Sequence, residues 1–116
     1  MREFVACSDH QDIRVFNVAE AQSVLRIKQA HSDNVRRVSF VGDHFVLSAG
    51  HDKLVKLWDL RNHKTAVASL GLAAPVEDFT MLGSTTHFCV ANGNLLDVVA
   101  LDEASQLRSL NSFVAF

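Results

Sequence analysis

The chain repeats itself. Displaced by 42 positions, Phe4 to Val18 falls on Val46 to Leu60 without a gap, so that Val5 meets Leu47, Ile13 meets Val55, Val15 meets Leu57, Phe16 meets Trp58 and Asn17 meets Asp59. Displaced by 41, Val35, Val38 and Phe40 fall on Val76, Phe79 and Met81, and Leu54-Val55 falls on Leu95-Leu96. Changes of length are confined to turn residues. A period of this size marks units that cannot bury their apolar faces alone and must stack on their neighbours. That one feature removes most ordinary single-core folds from consideration.

The inside of a unit is clearest from Ala30 to Leu60. Three apolar runs are separated by Val41-Gly42-Asp43 and by Gly50-His51-Asp52. Each run mixes β-branched, aromatic and aliphatic residues over roughly five to seven positions, which is strand length and too short for a helix. The stretch therefore reads as three antiparallel strands, residues 35–40, 45–49 and 54–60. By the same criteria, residues 4–8, 12–18 and 23–27 are strands. So are Thr65 to Leu70, Val76–Met81, Phe88–Ala91, Leu95–Leu101 and Gln106–Leu110, giving eleven in groups of three, four and four. Asn92-Gly93 is a two-residue hairpin signal, and Pro75 opens a strand where its missing N–H does no harm. Val35 and Val38 are three apart, as are Val76 and Phe79, although like side chains in a strand recur every second residue. An extra residue, hence a β-bulge, is expected at Arg36-Arg37 and at Glu77-Asp78.

Four polar residues stand at telling places in the middle unit: His31 before its first strand, Ser48 in the second, Asp52 in the following turn and Trp58 in the third. A buried indole N–H needs an acceptor, a hydroxyl both accepts and donates, and an imidazole bridges hydroxyl to carboxylate. Trp58, Ser48, His31 and Asp52 thus form a candidate chain of hydrogen bonds pinning the strands together. Ser, His and Asp also suggest a hydrolytic triad, but that chemistry needs an exposed serine oxygen and an oxyanion hole. No catalytic residue is expected.

These residues resemble one WD repeat of a β-propeller. Ala30-His31 stands at the family's Gly-His, Ser48-Ala49-Gly50-His51-Asp52 at its Ser-Gly-Ser-x-Asp turn, and Trp58-Asp59 at its Trp-Asp pair. The resemblance implies an all-β fold, a WD-repeat propeller segment of about two and three-quarter four-stranded antiparallel blades. It divides the chain into an incomplete repeat at 1–29, a complete one at 30–70 and a degenerate one at 71–110. Residues 111–116 are then a tail or the start of the next blade. The tetrad is lost in the outer units: His10 and Phe16 stand at the Asp and Trp positions of the first, Leu72 and Val99 at the His and Trp positions of the last. An open arc of this kind leaves sheet faces and edges bare. The chain is expected to be a piece of a longer protein, or copies of it join to complete a ring.

Composition narrows function. At 116 residues, with 48% hydrophobic and 21% charged residues, the chain has room for one globular domain. A net charge of -2 gives no general affinity for polyanions, yet residues 1–65 hold ten Lys/Arg against eight Asp/Glu, and residues 66–116 one against five. Cys7 and Cys89, both in apolar runs, read as buried free thiols of a reducing, intracellular compartment. No apolar run approaches the roughly 18 residues of a membrane span, and the histidines lack metal-ligand spacing. No metal, cofactor or membrane contact is expected.

By the resemblance, Asn34, Arg36 and His51 occupy the top-face positions that WD propellers use for protein partners, with Glu77 the counterpart of Arg36 in the next repeat. Arg36, Arg37 and Lys53 are candidates for an RNA contact. The succession from His31-Ser32-Asp33-Asn34-Val35-Arg36 through Ala74-Pro75-Val76-Glu77-Asp78 to Val90-Ala91-Asn92-Gly93-Asn94 resembles the U-three snoRNA-associated protein fifteen family of the small-subunit processome. That resemblance implies a scaffold in ribosome biogenesis, in the nucleolus, touching pre-ribosomal RNA through other proteins. A WD adaptor in another complex, such as a ubiquitin-ligase substrate receptor, is the alternative, and direct RNA binding is a further one.

Overall fold

The computed structural model describes residues 4–83 and 86–114. Among these residues the alternating pattern becomes eleven strands: β1 (Phe4–Asp9), β2 (Asp12–Asn17), β3 (Gln22–Ile27), β4 (Val35–Val41), β5 (Phe45–Gly50), β6 (Leu54–Asp59), β7 (Ala68–Gly71), β8 (Val76–Met81), β9 (His87–Asn92), β10 (Leu95–Leu101) and β11 (Leu107–Val114). They form three sheets, β1-β2-β3, β4-β5-β6-β7 and β8-β9-β10-β11, in each of which chain neighbours pair. Every pairing is antiparallel.

Stacking of the sheets makes the core. Along β5, Val46 turns toward the first sheet and joins Ile13, Ile27, Ala30 and Trp58. Leu47 and Ala49 turn the other way, into a larger cluster with Val55, Leu57, Val76, Phe79, Phe88, Val90 and Val99. The middle sheet is therefore covered on both faces, and five consecutive residues of β5 are buried. Phe79 meets Phe88 edge to face, centroids 6.3 Å apart. Each fully buried Val, Leu or Phe contributes roughly 1.5–3 kcal/mol, so these inter-sheet clusters are what hold the stack together. On the outer sheets the covering stops: Val5 and Val24 are about half exposed, as is Phe113.

The two expected bulges are present, as register shifts between Val35 and Arg37 and between Val76 and Asp78. Two more, at Val15/Phe16 and Val98/Val99, lie in the pairings with outer strands.

Four expectations need correction. The outer strand of the middle sheet is Ala68–Gly71, not Thr65 to Leu70. Asp59 ends β6 by accepting the Arg61 backbone N–H at 2.9 Å and the Arg61 guanidinium at 3.0 Å, and the returning chain joins the ladder only at Ala68 opposite Leu57. The hairpin loop is Gly93-Asn94, one residue later than read, because Asn92 still pairs with Leu95. Gly93 has φ +60°, and a Cβ there would stand 2.9 Å from the Ala74 Cβ, so both backbone and space demand glycine.

Residues 111–114 are neither a tail nor a new sheet. They extend β11 along β10, Asn111 opposite Val98 and Val114 opposite Leu95, after a bulge at Val98/Val99 that shifts the register by one residue. Residues 115 and 116 lie outside the described residues. Finally, Cys7 is exposed and Cys89 half-buried. Cys7 alternates with inward-facing Ala6 on the uncovered side of its sheet, so an apolar run did not guarantee a buried thiol.

Candidate functional site

Trp58, Ser48, His31 and Asp52 come together between the first and second sheets. Trp58 Nε1 donates to Ser48 Oγ at 2.9 Å. Ser48 Oγ lies 2.7 Å from His31 Nε2, and His31 Nδ1 lies 2.8 and 2.9 Å from the two oxygens of Asp52. A carboxylate only accepts, so Nδ1 carries the proton, Nε2 accepts the Ser48 hydroxyl hydrogen, and the hydroxyl oxygen accepts from the indole. Each group is used once in one direction, which requires a neutral imidazole. Burial of His31 pushes its pKa below the ordinary 6.5, and the Asp52 carboxylate opposes that without cancelling it.

Asp52 also accepts the backbone N–H groups of Ser32 and Leu54 at 3.1 and 3.2 Å. One carboxylate thus ties the start of β6 to the β3–β4 connection. Gly50 makes the room. A Cβ on it would stand 2.8 Å from the Asn34 carbonyl oxygen and 3.2 Å from both Asp52 Oδ1 and His31 Nδ1. Although Asp52, His31 and Ser48 are ordered like a hydrolytic triad, Ser48 is fully buried and its oxygen is held by the indole. The arrangement fixes strands and offers no nucleophile to a substrate.

The bulges place Arg36, Arg37, Glu77 and Asp78 on the surface. The structure brings side chains of neighbouring sheets together there: Arg37 Nε lies 3.6 Å from the Asp78 carboxylate oxygen Oδ1, an ion pair, and His51 Nε2 lies 3.6 Å from Glu77 Oε1. Asn34 is fixed through its backbone, its carbonyl accepting the His51 N–H at 2.9 Å. Arg36 and Lys53 are exposed. Candidate partner residues Asn34, His51 and Glu77 therefore form one continuous rim across the second and third sheets, of mixed sign.

Sequence reading missed a second polar cluster. In the third sheet, Asp97 occupies the position of Lys56 and is buried, 6% exposed. It accepts from Ser112 Oγ at 2.8 Å, Ser109 Oγ at 3.0 Å and Asn92 Nδ2 at 3.4 Å. Where the tetrad is lost, this cluster ties β9, β10 and β11 instead. The signal was present in the charge reversal at Asp97, but its serine partners lie in an outer strand whose register no periodicity foretold.

No protein-family model matches the chain. Two relatives, DDB1- and CUL4-associated factor 11 homologs of Caenorhabditis elegans and Caenorhabditis briggsae, are 40% and 38% identical over 62 and 61 residues, each match covering 51% of this chain. The LEC14B homolog of Prunus armeniaca is 35% identical over 98 residues, 79% of this chain. The chain spans only 11%, 11% and 20% of the lengths of these three relatives. Among solved structures, the C-terminal WD40 domain of Sif2 superposes with a TM-score of 0.82 at 19% identity, covering 97% of this chain and 33% of that one. The fold is a segment of a WD-repeat β-propeller. The β-propeller domain of Cps50 (Swd1) from Myceliophteria thermophila agrees, with a TM-score of 0.77 at 19% identity over 97% of this chain and 35% of that chain. Each sheet is thus a blade, and the four-residue network of blade two fastens its inner strands to the connection from blade one.

Proposed function

We propose that the chain is part of a non-catalytic platform whose rim, carrying Asn34, Arg36, His51 and Glu77, holds protein partners. One observation carries this. Blades two and three break register at the same place, Val35/Arg37 and Val76/Asp78, and each uses the bulge to expose charged side chains. Bulges cost regular pairing and re-aim side chains, and repeating one at corresponding rim positions suits presentation. In this reading the apolar residues left exposed on blades one and three are covered by further blades, in the same polypeptide or from other copies.

Within that class the reading best supported is an adaptor associated with DDB1 and CUL4, since two relatives matched over half of this chain carry that description in their names. A scaffold of small-subunit pre-rRNA processing, in the nucleolus, rests on the succession of motifs from His31 to Asn94. Direct RNA binding by Arg36, Arg37 and Lys53 is the weakest, because Arg37 already faces Asp78.

Purified DDB1 mixed with the chain tests the adaptor reading. Co-elution as one complex, weakened by the paired change Arg36→Ala with Glu77→Ala, is expected. Absence of a complex, together with salt-sensitive binding of single-stranded RNA lost in Arg36→Ala, overturns it.

A further inference from the structure

A cleft of about 450 Å³ opens between blades one and two, built entirely by residues of this chain. Its walls include Gln11, Gln29, Ser32 and Lys56, and the tetrad's His31 and Asp52 line it as well. The volume lies within the usual range of ligand pockets. Hydrogen-bond capacity decides what it can take. Both ring nitrogens of His31 are engaged, and Asp52, its side chain 3% exposed, already accepts from three N–H groups. Lys56 is half-buried and spends one ammonium hydrogen on the Ala30 carbonyl at 2.8 Å, leaving two. Its Nζ also sits 5.6 Å from the centroid of the Trp58 ring, which holds the side chain in place. Of the groups left free, the two carboxamides and the hydroxyl both donate and accept, and only the Lys56 ammonium donates alone, so it is Lys56 that sets the preference of the cleft for an anionic group.

Two further observations agree. Exposed Lys28 and Lys53 adjoin lining residues in the chain, while the nearby Asp12 is already paired with Arg26 at 2.9 Å. Also, of the five non-glycine residues with left-handed backbone among those described, Gln29 lines the cleft, and His10 and Lys53 are chain neighbours of lining residues. Each lies in a turn or bend that is also tied to a distant part of the chain. Gln29 N–H is held by Asp12 at 2.8 Å, the His10 carbonyl accepts from Val35 at 2.7 Å, and the Lys53 carbonyl accepts from Leu72 at 2.8 Å. Backbone held in sparsely populated regions concentrates at binding sites.

We propose that this cleft is a binding site for the carboxylate side chain of an acidic peptide segment, with Lys56 as its cationic partner and Gln29 and Ser32 as additional donors. The site goes beyond the rim, uses none of the rim residues, and does not depend on which complex the chain joins. The probe is a blocked tripeptide amide with a central glutamate, compared with its glutamine counterpart and with inorganic phosphate. All three are titrated into the isotope-labelled chain while backbone amide resonances are followed.

Saturable shifts at Gln29, Ser32 and Lys56 are expected with the glutamate peptide, with affinity about tenfold or more above that of the glutamine peptide, as for loss of a charge-assisted pair. Lys56→Met is expected to weaken binding by a similar factor. Because Lys56 also supports Ala30, Gln29→Gly is the second variant. Glycine accepts the left-handed backbone and keeps the N–H, so the fold stays intact while the carboxamide is lost and binding weakens. Equal shifts with both peptides overturn the proposal, as do phosphate binding as tight as the glutamate peptide, unchanged affinity in both variants, or no saturable shift at the cleft.

Discussion

Ser48→Ala is the sharpest probe of the tetrad, because one oxygen serves two partners. The hydroxyl accepts the Trp58 N–H at 2.9 Å and donates to His31 Nε2 at 2.7 Å. Ser48 is 0%, His31 1% and Trp58 4% exposed, so solvent cannot replace what is lost. Each buried group stranded this way costs about 1–3 kcal/mol, and two are stranded, so the loss is about 2–6 kcal/mol. With a urea dependence of about 1–3 kcal/mol per molar for a small domain, the unfolding midpoint falls by about 0.7 M or more.

Trp58→Phe supplies the other corner of a double-mutant cycle. It removes the N–H yet leaves the Ser48 hydroxyl its bond to His31. In the double variant no indole N–H remains to be stranded, so its loss is smaller than the sum of the single losses by about 1–3 kcal/mol. Urea unfolding followed by circular dichroism measures all four corners. Losses that add to within about 0.5 kcal/mol, or a Ser48→Ala loss below that size, would refute the hydrogen-bond assignment and reduce Ser48 to a small core residue.

Three further outcomes follow from the same geometry. The depressed pKa of His31 means that the unfolded chain takes up a proton near 6.5 while the folded chain resists it. Stability is therefore complete above about pH 6.5 and declines as pH falls toward the lowered folded value; His31→Gln, followed by urea midpoints from pH 5 to 8, is expected to remove that slope. Gly50→Ala is expected to cost about 1–3 kcal/mol by overpacking, since its Cβ would press on the Asn34 carbonyl at 2.8 Å, and calorimetry reads the loss. Asp97→Ala, which leaves Ser109, Ser112 and Asn92 without their shared acceptor, is expected to cost about 1–3 kcal/mol. It should also speed hydrogen exchange along β11 more than along β4.

Strand existence, strand count and the two rim bulges were legible in the sequence because each is a local property. Alternation and turn residues act within ten positions, and the displacement of Val38 or Phe79 by one residue betrays the bulge directly. The tetrad was legible too, since its members are chemically complementary and sit at turn and strand positions set by that same local pattern. What the sequence by itself determined, then, is the repeating antiparallel sheet and the residues that fasten its best-formed copy.

Tertiary structure alone decided which faces meet and which stay open. Cys7 and Leu47 both lie in apolar runs, but only Leu47 has a neighbouring sheet against it. Arg37 and Asp78, or His51 and Glu77, become neighbours only when blades two and three stack, and Asp97 finds Ser109 and Ser112 only through the bulged register of β11. The cleft beside Lys56 likewise exists only between two blades. Periodicity records what each strand does to its own side chains; it carries no record of the rotation and offset between sheets, and those set every contact across the gap.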